Sequence, residues 1–235
     1  MLCRITDLMV EVPEQWGMAP RCREYVCNEN VSADIIIRAD HYRRPTQYTL
    51  SDESIAYMES GWQFYRQLLE FGGMMLHASA VEYEGKAYLF SGPSGMGKST
   101  HARLWQRVFG DEAQVFNDDK PAVRRLADRW YAYGTPWCGK DGINQNKKVP
   151  LAGICFLRRG EVNIIRRLNE QEAMVYVLQQ TIRKFADAEK LDRMLKLVDA
   201  LVREIPVYEL HCTKDPEASR LSNETMRRGA KEVGL

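Results

Sequence analysis

The chain reads as an α/β protein, α+β-like in layout, built on a mixed, partly antiparallel sheet flanked by helices. Three observations predict this. The run Gly92-Pro93-Ser94-Gly95-Met96-Gly97-Lys98-Ser99-Thr100 fits G-x-x-x-x-G-K-[ST], a phosphate loop set between a strand and a helix. A second apolar strand precedes the loop strand across the tight turn Glu84-Gly85, so a hairpin rather than a crossover helix leads into the loop. Short β-rich runs and longer stretches of helical spacing are interspersed along the rest of the chain.

Taken in order, residues 1–50 are strand-like, with Ala33 to Arg38 the clearest strand. Ser51-Asp52-Glu53-Ser54 opens a helix with a cap and early acids. Ile55, Met58, Trp62, Tyr65, Leu68 and Leu69 then recur at helical spacing, a stripe read as core, until Gly72-Gly73 ends the helix. Met74 to Tyr83 reads as one apolar strand and Ala87 to Phe90 as its hairpin partner. His101 to Phe109 is helical, stopped by Gly110. Gln114 to Asn117 is a strand ending in Asp118-Asp119, and Arg129 to Tyr133 is another. Gly134 to Gly142 is a loop rich in turn formers. Leu151 to Leu157 and Val162 to Arg166 read as a hairpin across Arg158 to Glu161. Gln171 to Thr181 and Ile182 to Glu204 read as helices, the second with an apolar stripe through Phe185, Leu191, Met194, Leu195, Val198, Leu201 and Val202. Val207 to Leu210 is a strand, and Asp215-Pro216 starts the last helix with proline at its first position. The expected division is an N-terminal strand and helix annex over residues 1–72 and a phosphate-loop domain over 73–235.

Composition narrows the classes of function. At 45% hydrophobic and 28% charged the chain is an ordinary globular protein. A net charge of +1 gives no basis for binding nucleic acid or an anionic membrane. No apolar run approaches the ~20 residues that span a bilayer, and Met1 to Asp7 lacks a signal-peptide pattern. A cytoplasmic location is therefore expected. Cys3, Cys22, Cys27, Cys138, Cys155 and Cys212 are scattered without a zinc-type set, and are expected to be reduced.

The chemistry concentrates after residue 76. Glycines at 92, 95 and 97 let successive backbone N–H groups turn toward a phosphate, and the following helix adds the positive end of its dipole. In such a loop Lys98 reaches the terminal phosphates and the Ser99 hydroxyl takes magnesium. Asp118-Asp119 ends a strand about 20 residues beyond the loop lysine, where a carboxylate commonly holds that magnesium. One of the pair could hold metal while the other accepts a proton from an attacking hydroxyl. His77, on the strand antiparallel to the loop strand, falls near the loop end of the sheet as a metal ligand or an acid/base group.

Leu76-His77-Ala78-Ser79-Ala80, then Gly92 to Thr100, then Asn117-Asp118-Asp119, in that order and spacing, resemble the HPr serine kinase and phosphoenolpyruvate carboxykinase group. Weaker similarity, through Gly134-Thr135-Pro136-Trp137, Val149-Pro150-Leu151 and Pro206 to Leu210, extends to about residue 220 and points to the small stand-alone HPr-kinase-like proteins. The resemblance implies ATP with Mg²⁺ held by the loop, Ser99 and the Asp pair. It implies a second divalent metal at His77 and Asp119, and Asp118 as the base that activates a substrate hydroxyl. Lys98 would stabilise the transferred phosphoryl group. A further cation should face the phosphates, Lys140 being the candidate and Lys120 and Arg124 its rivals.

The activity so implied is ATP- and Mg-dependent transfer of the γ-phosphoryl group to a hydroxyl, serine first among them, on a peptide, protein or small molecule. Small relatives of this kind occur beside peptide-modification genes, so the resemblance includes a peptide among the acceptors it implies. The resemblance also leaves a homo-oligomer open. The competing readings are a nucleotide-gated binding module and an NTPase or small carboxykinase-like phosphotransferase.

Overall fold

The computed structural model describes residues 1–235 except 15–16, 44–48, 184 and 186. The strand-like reading of residues 1–50 and the helix expected from Ile182 each fall partly on those positions, which lie outside the described residues.

The N-terminal region forms a small sheet. β1 (Leu2–Ile5) and β2 (Leu8–Glu11) pair antiparallel, and β3 (Ile35–Ile36) adds to β2 in parallel. The strand expected over Ala33 to Arg38 thus pairs over Ile35–Ile36 alone. Its outer edge is taken by side chains of the next helix. Gln67 Nε2 donates to the Ile36 carbonyl, and the Gln63 amide both accepts from Arg38 N and donates to the Arg38 carbonyl.

That helix, α1 (Asp52–Leu68), is capped as expected by Ser51, whose hydroxyl accepts from Ser54 N at 3.2 Å. Its buried face differs from the expected stripe. Ile55, Tyr65, Leu68 and Leu69 are buried, but Met58 and Trp62 are exposed, and Ala56, Ser60, Gly61 and Phe64 take their place. The reason is Trp137. Its ring stacks on Phe64 at 4.6 Å, and a Cβ on Gly61 would stand 2.8 Å from it, so the helix turns its smallest residue toward the indole. Trp62 instead lies under the Arg66 guanidinium at 4.2 Å.

Among the described residues the main sheet has nine strands, in the order β4-β8-β9-β10-β6-β5-β7, with β12 paired to β10 and β11 to β12. Its strands are β4 (Gly73–Met75), β5 (Ala78–Tyr83), β6 (Lys86–Ser91), β7 (Ala113–Asp119), β8 (Ala122–Leu126), β9 (Arg129–Tyr133), β10 (Lys148–Arg159), β11 (Ile164–Arg167) and β12 (Val207–Cys212). It is mixed: β6, β10 and β12 run parallel and the other pairs antiparallel. The hairpin into the loop forms as expected, with Tyr83 opposite Lys86 and both turn residues, Glu84 and Gly85, at positive φ.

Two expectations are corrected. The apolar run from Met74 is not one strand. It breaks at Leu76-His77, so β4 pairs with β8 while β5 pairs with β6 and β7. Nor does β11 fold back on β10: β12 lies between them, parallel to β10 and antiparallel to β11. β10 and β12 are buried along most of their length, whereas β11 is largely exposed with Arg166 and Arg167 among its residues. Burial goes to the apolar pair, and the charged strand takes the edge.

Among the described residues five α-helices cover the sheets: α1, α2 (Lys98–Phe109), α3 (Glu170–Gln179), α4 (Ala188–Glu204) and α5 (Pro216–Glu232). α3 opens with a reciprocal capping box between Asn169 and Glu172. α4 starts at Ala188, capped by Asp187, later than expected from Ile182. Met194, Val198, Leu201 and Val202 of its stripe are buried, while Leu191 and Leu195 are exposed. Arg124, a candidate phosphate cation, is buried and fixes the annex: its guanidinium donates to the Thr6 carbonyl and to the Phe71 carbonyl at 2.9 Å.

On α5, a Cβ at Gly229 would stand 1.7 Å from the Tyr208 hydroxyl, which is buried with no hydrogen-bond partner among the described residues. Gly229→Ala is expected to lose about 1–3 kcal/mol by overpacking, despite alanine's better helix propensity. Tyr208→Phe is expected to be near neutral by itself and to recover most of that loss in the double variant. Urea unfolding of the four chains checks this, and strict additivity would overturn it.

Candidate functional site

The site is assembled at the ends of β5, β6 and β7. β6 delivers the chain to Gly92, and the loop turns through Gly95 and Gly97, both at positive φ, into α2, which begins at Lys98. α2 is anchored from behind. The Ser222 hydroxyl of α5 accepts from the Trp105 indole at 2.9 Å and meets His101 Nε2 at 3.0 Å. Burial pushes His101 down to about 4, so the ring is neutral near pH 7. Lys98 is buried and donates to the carbonyls of Gly92 and Pro93 at 2.9 and 3.2 Å. Burial lowers its pKa, opposed by Asp119 and Asp118. Pro93, Ser94, Gly95 and Thr100 are exposed, and Met96, Gly97 and Ser99 half-buried. Loop backbone and the Ser99 side chain thus face outward over a fixed helix start.

Asp118 lies across from Ser79 of β5. Its Oδ1 accepts from the Ser79 hydroxyl and from Ser99 Oγ at 3.0 Å. Among the described residues its Oδ2 accepts no hydrogen bond. Asp119 faces elsewhere. Its Oδ2 accepts from Tyr57 Oη at 2.6 Å and Lys120 Nζ at 2.7 Å, and its Oδ1 lies 3.3 Å from His77 Nε2. Burial alone would raise its carboxyl, but the His77, Lys120 and Tyr57 contacts outweigh it and hold Asp119 well below the usual carboxylate range. Its backbone sits at φ +98°, a conformation L residues rarely adopt, held by bridging to Cys138 and by Gly139 N donating to the Asp118 carbonyl at 2.7 Å.

The sequence candidates therefore fall into two contact groups. Ser99 and Asp118 touch, beside Lys98 and the loop; His77 and Asp119 touch, beside Lys120. Lys140 is exposed in the turn from Gly139 to Gly142, next to the residue that binds the Asp118 carbonyl. Lys120 is engaged by Asp119, and Arg124 is remote in role, tied to the annex. Ser79, Tyr57 and Arg159 were not evident from sequence. Arg159, at the end of β10, donates to the Gly95 carbonyl at 2.9 Å and so props the loop. Beside it opens a cavity of about 480 Å³ lined by Met96, Thr100, Leu104, Arg159, Cys212 and Lys214 among others.

The donor chemistry suits a hard cation at Ser99 and Asp118, a hydroxyl and a carboxylate already in contact. His77 Nε2 and Asp119 Oδ1 offer a nitrogen and an oxygen at a separation one metal ion could bridge. Among the described residues no three His, Cys, Asp or Glu side chains converge as a metal cluster. A cation at either place would complete its shell with phosphate oxygens and water, as magnesium commonly does.

Fold and site together define an α/β protein with a phosphate-loop sequence at the end of a hairpin-fed strand of a mixed sheet. Residues 48–216 match the family model "SynChlorMet cassette protein ScmC", and the chain belongs to that family. No curated protein matches it. Among solved structures it is similar to the HPr(Ser) kinase/phosphatase from Coxiella burnetii, at 10% identity and a TM-score of 0.36, over 67% of this chain and 95% of that one. A likeness so distant does not speak for function. No helix among the described residues is long and apolar enough to cross a membrane.

Because the folded-state pKa of Asp119 is depressed, its contacts stabilise the fold fully at pH above the ordinary carboxyl value of about 3.9, and that contribution declines progressively as pH falls from there through the depressed folded value. The stability deficit of Asp119→Asn is therefore expected to be largest at neutral pH and to shrink at about pH 3. Denaturant unfolding of both chains at the two pH values checks this; a deficit independent of pH would refute it.

Proposed function

We propose that the protein is an ATP- and Mg²⁺-dependent kinase that moves the γ-phosphoryl group to a hydroxyl of a peptide, protein or small molecule, serine first among acceptors. The observation that carries the reading is the contact of Ser99 with Asp118 beside Lys98, all at one end of the sheet. Binding of phosphate needs the loop; it does not need a buried carboxylate with one oxygen free of hydrogen bonds next to the hydroxyl that takes the metal. That carboxylate is what separates this reading from a nucleotide-gated binding module.

The residues divide the work. Loop N–H groups and the start of α2 receive the phosphates. Lys98 turns from the Gly92 and Pro93 carbonyls to the transferring group and offsets its charge. Ser99 and Asp118 Oδ1 would hold Mg²⁺, which supplies charge neutralisation at the phosphates. Asp118 Oδ2 is the atom open to accept the proton of the acceptor hydroxyl. Asp119 and His77 would hold the second divalent metal. Lys140, exposed in the Gly139–Gly142 turn, would be the further cation that faces the phosphates. The base of ATP would sit in the cavity between Met96, Leu104 and Cys212, whose volume of about 480 Å³ is that of an ordinary small-molecule site. The NTPase and carboxykinase-like alternative shares every feature except the acceptor.

³¹P NMR with Mg-ATP, alone and with serine peptides and free serine, tests the reading. A phosphoester signal is expected with one acceptor, to vanish in Asp118→Asn while ATP binding persists, and to fall by about 10²-fold or more in Lys98→Ala. Normal transfer by Asp118→Asn would remove Asp118 as base. Phosphate release with no ester for any acceptor would favour the NTPase. Separately, Cys212→Trp is expected to weaken ATP at least about tenfold and to leave inorganic tripolyphosphate binding unchanged, measured by calorimetry. Equal loss for both ligands would place the base elsewhere.

A further inference from the structure

The guanidiniums of Arg38, Arg43 and Arg66 make no ion pair and donate no hydrogen bond among the described residues. Elsewhere the chain pairs such groups, as Arg193 with Glu70 and Arg203 with Asp199 from α4. The three unpaired arginines line one groove of about 670 Å³. It is formed by α1 from Glu59 to Gln67, by β3 with the turn Ala39–His41 that follows it, and by Lys190 of α4. Lys190 stands 3.8 Å from Glu70, a carboxylate that Arg193 also holds. Four cationic side chains thus line the groove against two acidic ones, Asp40 and Glu59, on a chain whose net charge is only +1.

Apolar surface lies among these charges. Ile36 and Trp62 are exposed in the groove, and Met58, one turn before Trp62 on α1, is exposed as well. Arg66 lies over the Trp62 ring at 4.2 Å. An arginine held over an indole keeps its N–H fork free for a planar, bidentate acceptor such as a carboxylate.

We infer that this groove docks an acidic peptide segment, whose carboxylates meet Arg38, Arg43 and Arg66 and whose apolar side chains cover Trp62 and Ile36. α1 rises about 12 Å between Glu59 and Gln67 at ~1.5 Å per residue, the span of about four residues of extended peptide. Strand addition is closed to such a segment. The Ile36 and Arg38 carbonyls and the Arg38 N–H are already bonded by Gln67 and Gln63. Recognition therefore passes through side chains, and the unpaired side chains are cations. Asp40 and Glu59 disfavour a nucleic acid, whose unbroken phosphates would meet them, whereas a peptide can set a neutral residue opposite each. No groove residue belongs to the phosphate loop or the Asp pair, so the inference does not rest on the proposed function.

The test is fluorescence anisotropy of the full chain with a short fluorescein-labelled peptide alternating glutamate and leucine, at low and moderate salt. The comparisons are the same peptide with glutamine for glutamate, and a labelled oligothymidylate of equal length. The glutamate peptide is expected to bind at least about tenfold more tightly than the glutamine peptide. Arg38→Glu is expected to weaken it about tenfold and to flatten its salt dependence. Trp62→Ala is expected to weaken it about fivefold and to leave the salt dependence unchanged. Arg129→Glu reverses an exposed charge outside the groove and is expected to change binding by less than about twofold. A glutamate peptide no tighter than the glutamine one, tighter binding of the oligothymidylate, or equal losses in Arg38→Glu and Arg129→Glu overturns the inference. Circular dichroism checks the fold of each variant, and Arg43→Gln supplies the reading if Arg38→Glu does not fold.

Discussion

β5 is paired along both edges, and the candidate site depends on that double pairing. On one side β6 brings the phosphate loop; on the other β7 brings the Asp pair. The gap between loop and carboxylates is thereby set by backbone hydrogen bonds at the regular strand spacing of about 4.8 Å rather than by loop packing. β5 also contributes directly. Ser79 bonds Asp118 across the β7 edge, and the residue just before the strand is His77. A rigid scaffold of this kind holds reacting groups in place without a further ordering cost on binding.

Two adjacent carboxylates, Asp118 buried and Asp119 half-buried, must each find polar partners to offset the cost of leaving water. The fold answers by sending them to different company. Asp118 keeps neutral hydroxyls around one oxygen and leaves the other open, while Asp119 is bound by an ammonium, a phenol and an imidazole. The backbone at Asp119 turns to positive φ to make that separation. Strain of about 1–3 kcal/mol at such a residue is tolerated where surrounding bonds over-determine it, as the Cys138 bridge and the Gly139 bond do here. Neighbouring residues of one type can carry different duties only when their environments diverge in this way.

What could be read from the sequence was local. The phosphate loop is a contiguous motif, and the Glu84-Gly85 turn fixes its hairpin within a few residues, which is why His77 could be placed near the loop end. The partners that complete the site come from far along the chain. Ser79 meets Asp118 across 39 residues, Tyr57 meets Asp119 across 62, and Arg159 meets Gly95 across 64. No periodicity in either segment encodes such a meeting. β11 illustrates the same limit: adjacency in sequence suggests a hairpin with β10, but competition for burial seats β12 between them. The candidate cations show it at the level of single residues. Arg124 differs from Lys140 not in type or nearby motif but in facing two orphan carbonyls of the annex.

The glutamines of α1 that cover β3 have a consequence of another kind. A two-residue strand at the rim of a three-stranded sheet presents bare amides and carbonyls, a template onto which a foreign strand could be laid. Gln63 and Gln67 occupy those groups with side-chain amides, which reproduce the donors and acceptors of a backbone and then stop. They end the sheet as a dummy strand would, so a neighbouring chain meets side-chain amides at the Ile36 and Arg38 carbonyls and the Arg38 N–H instead of bare backbone.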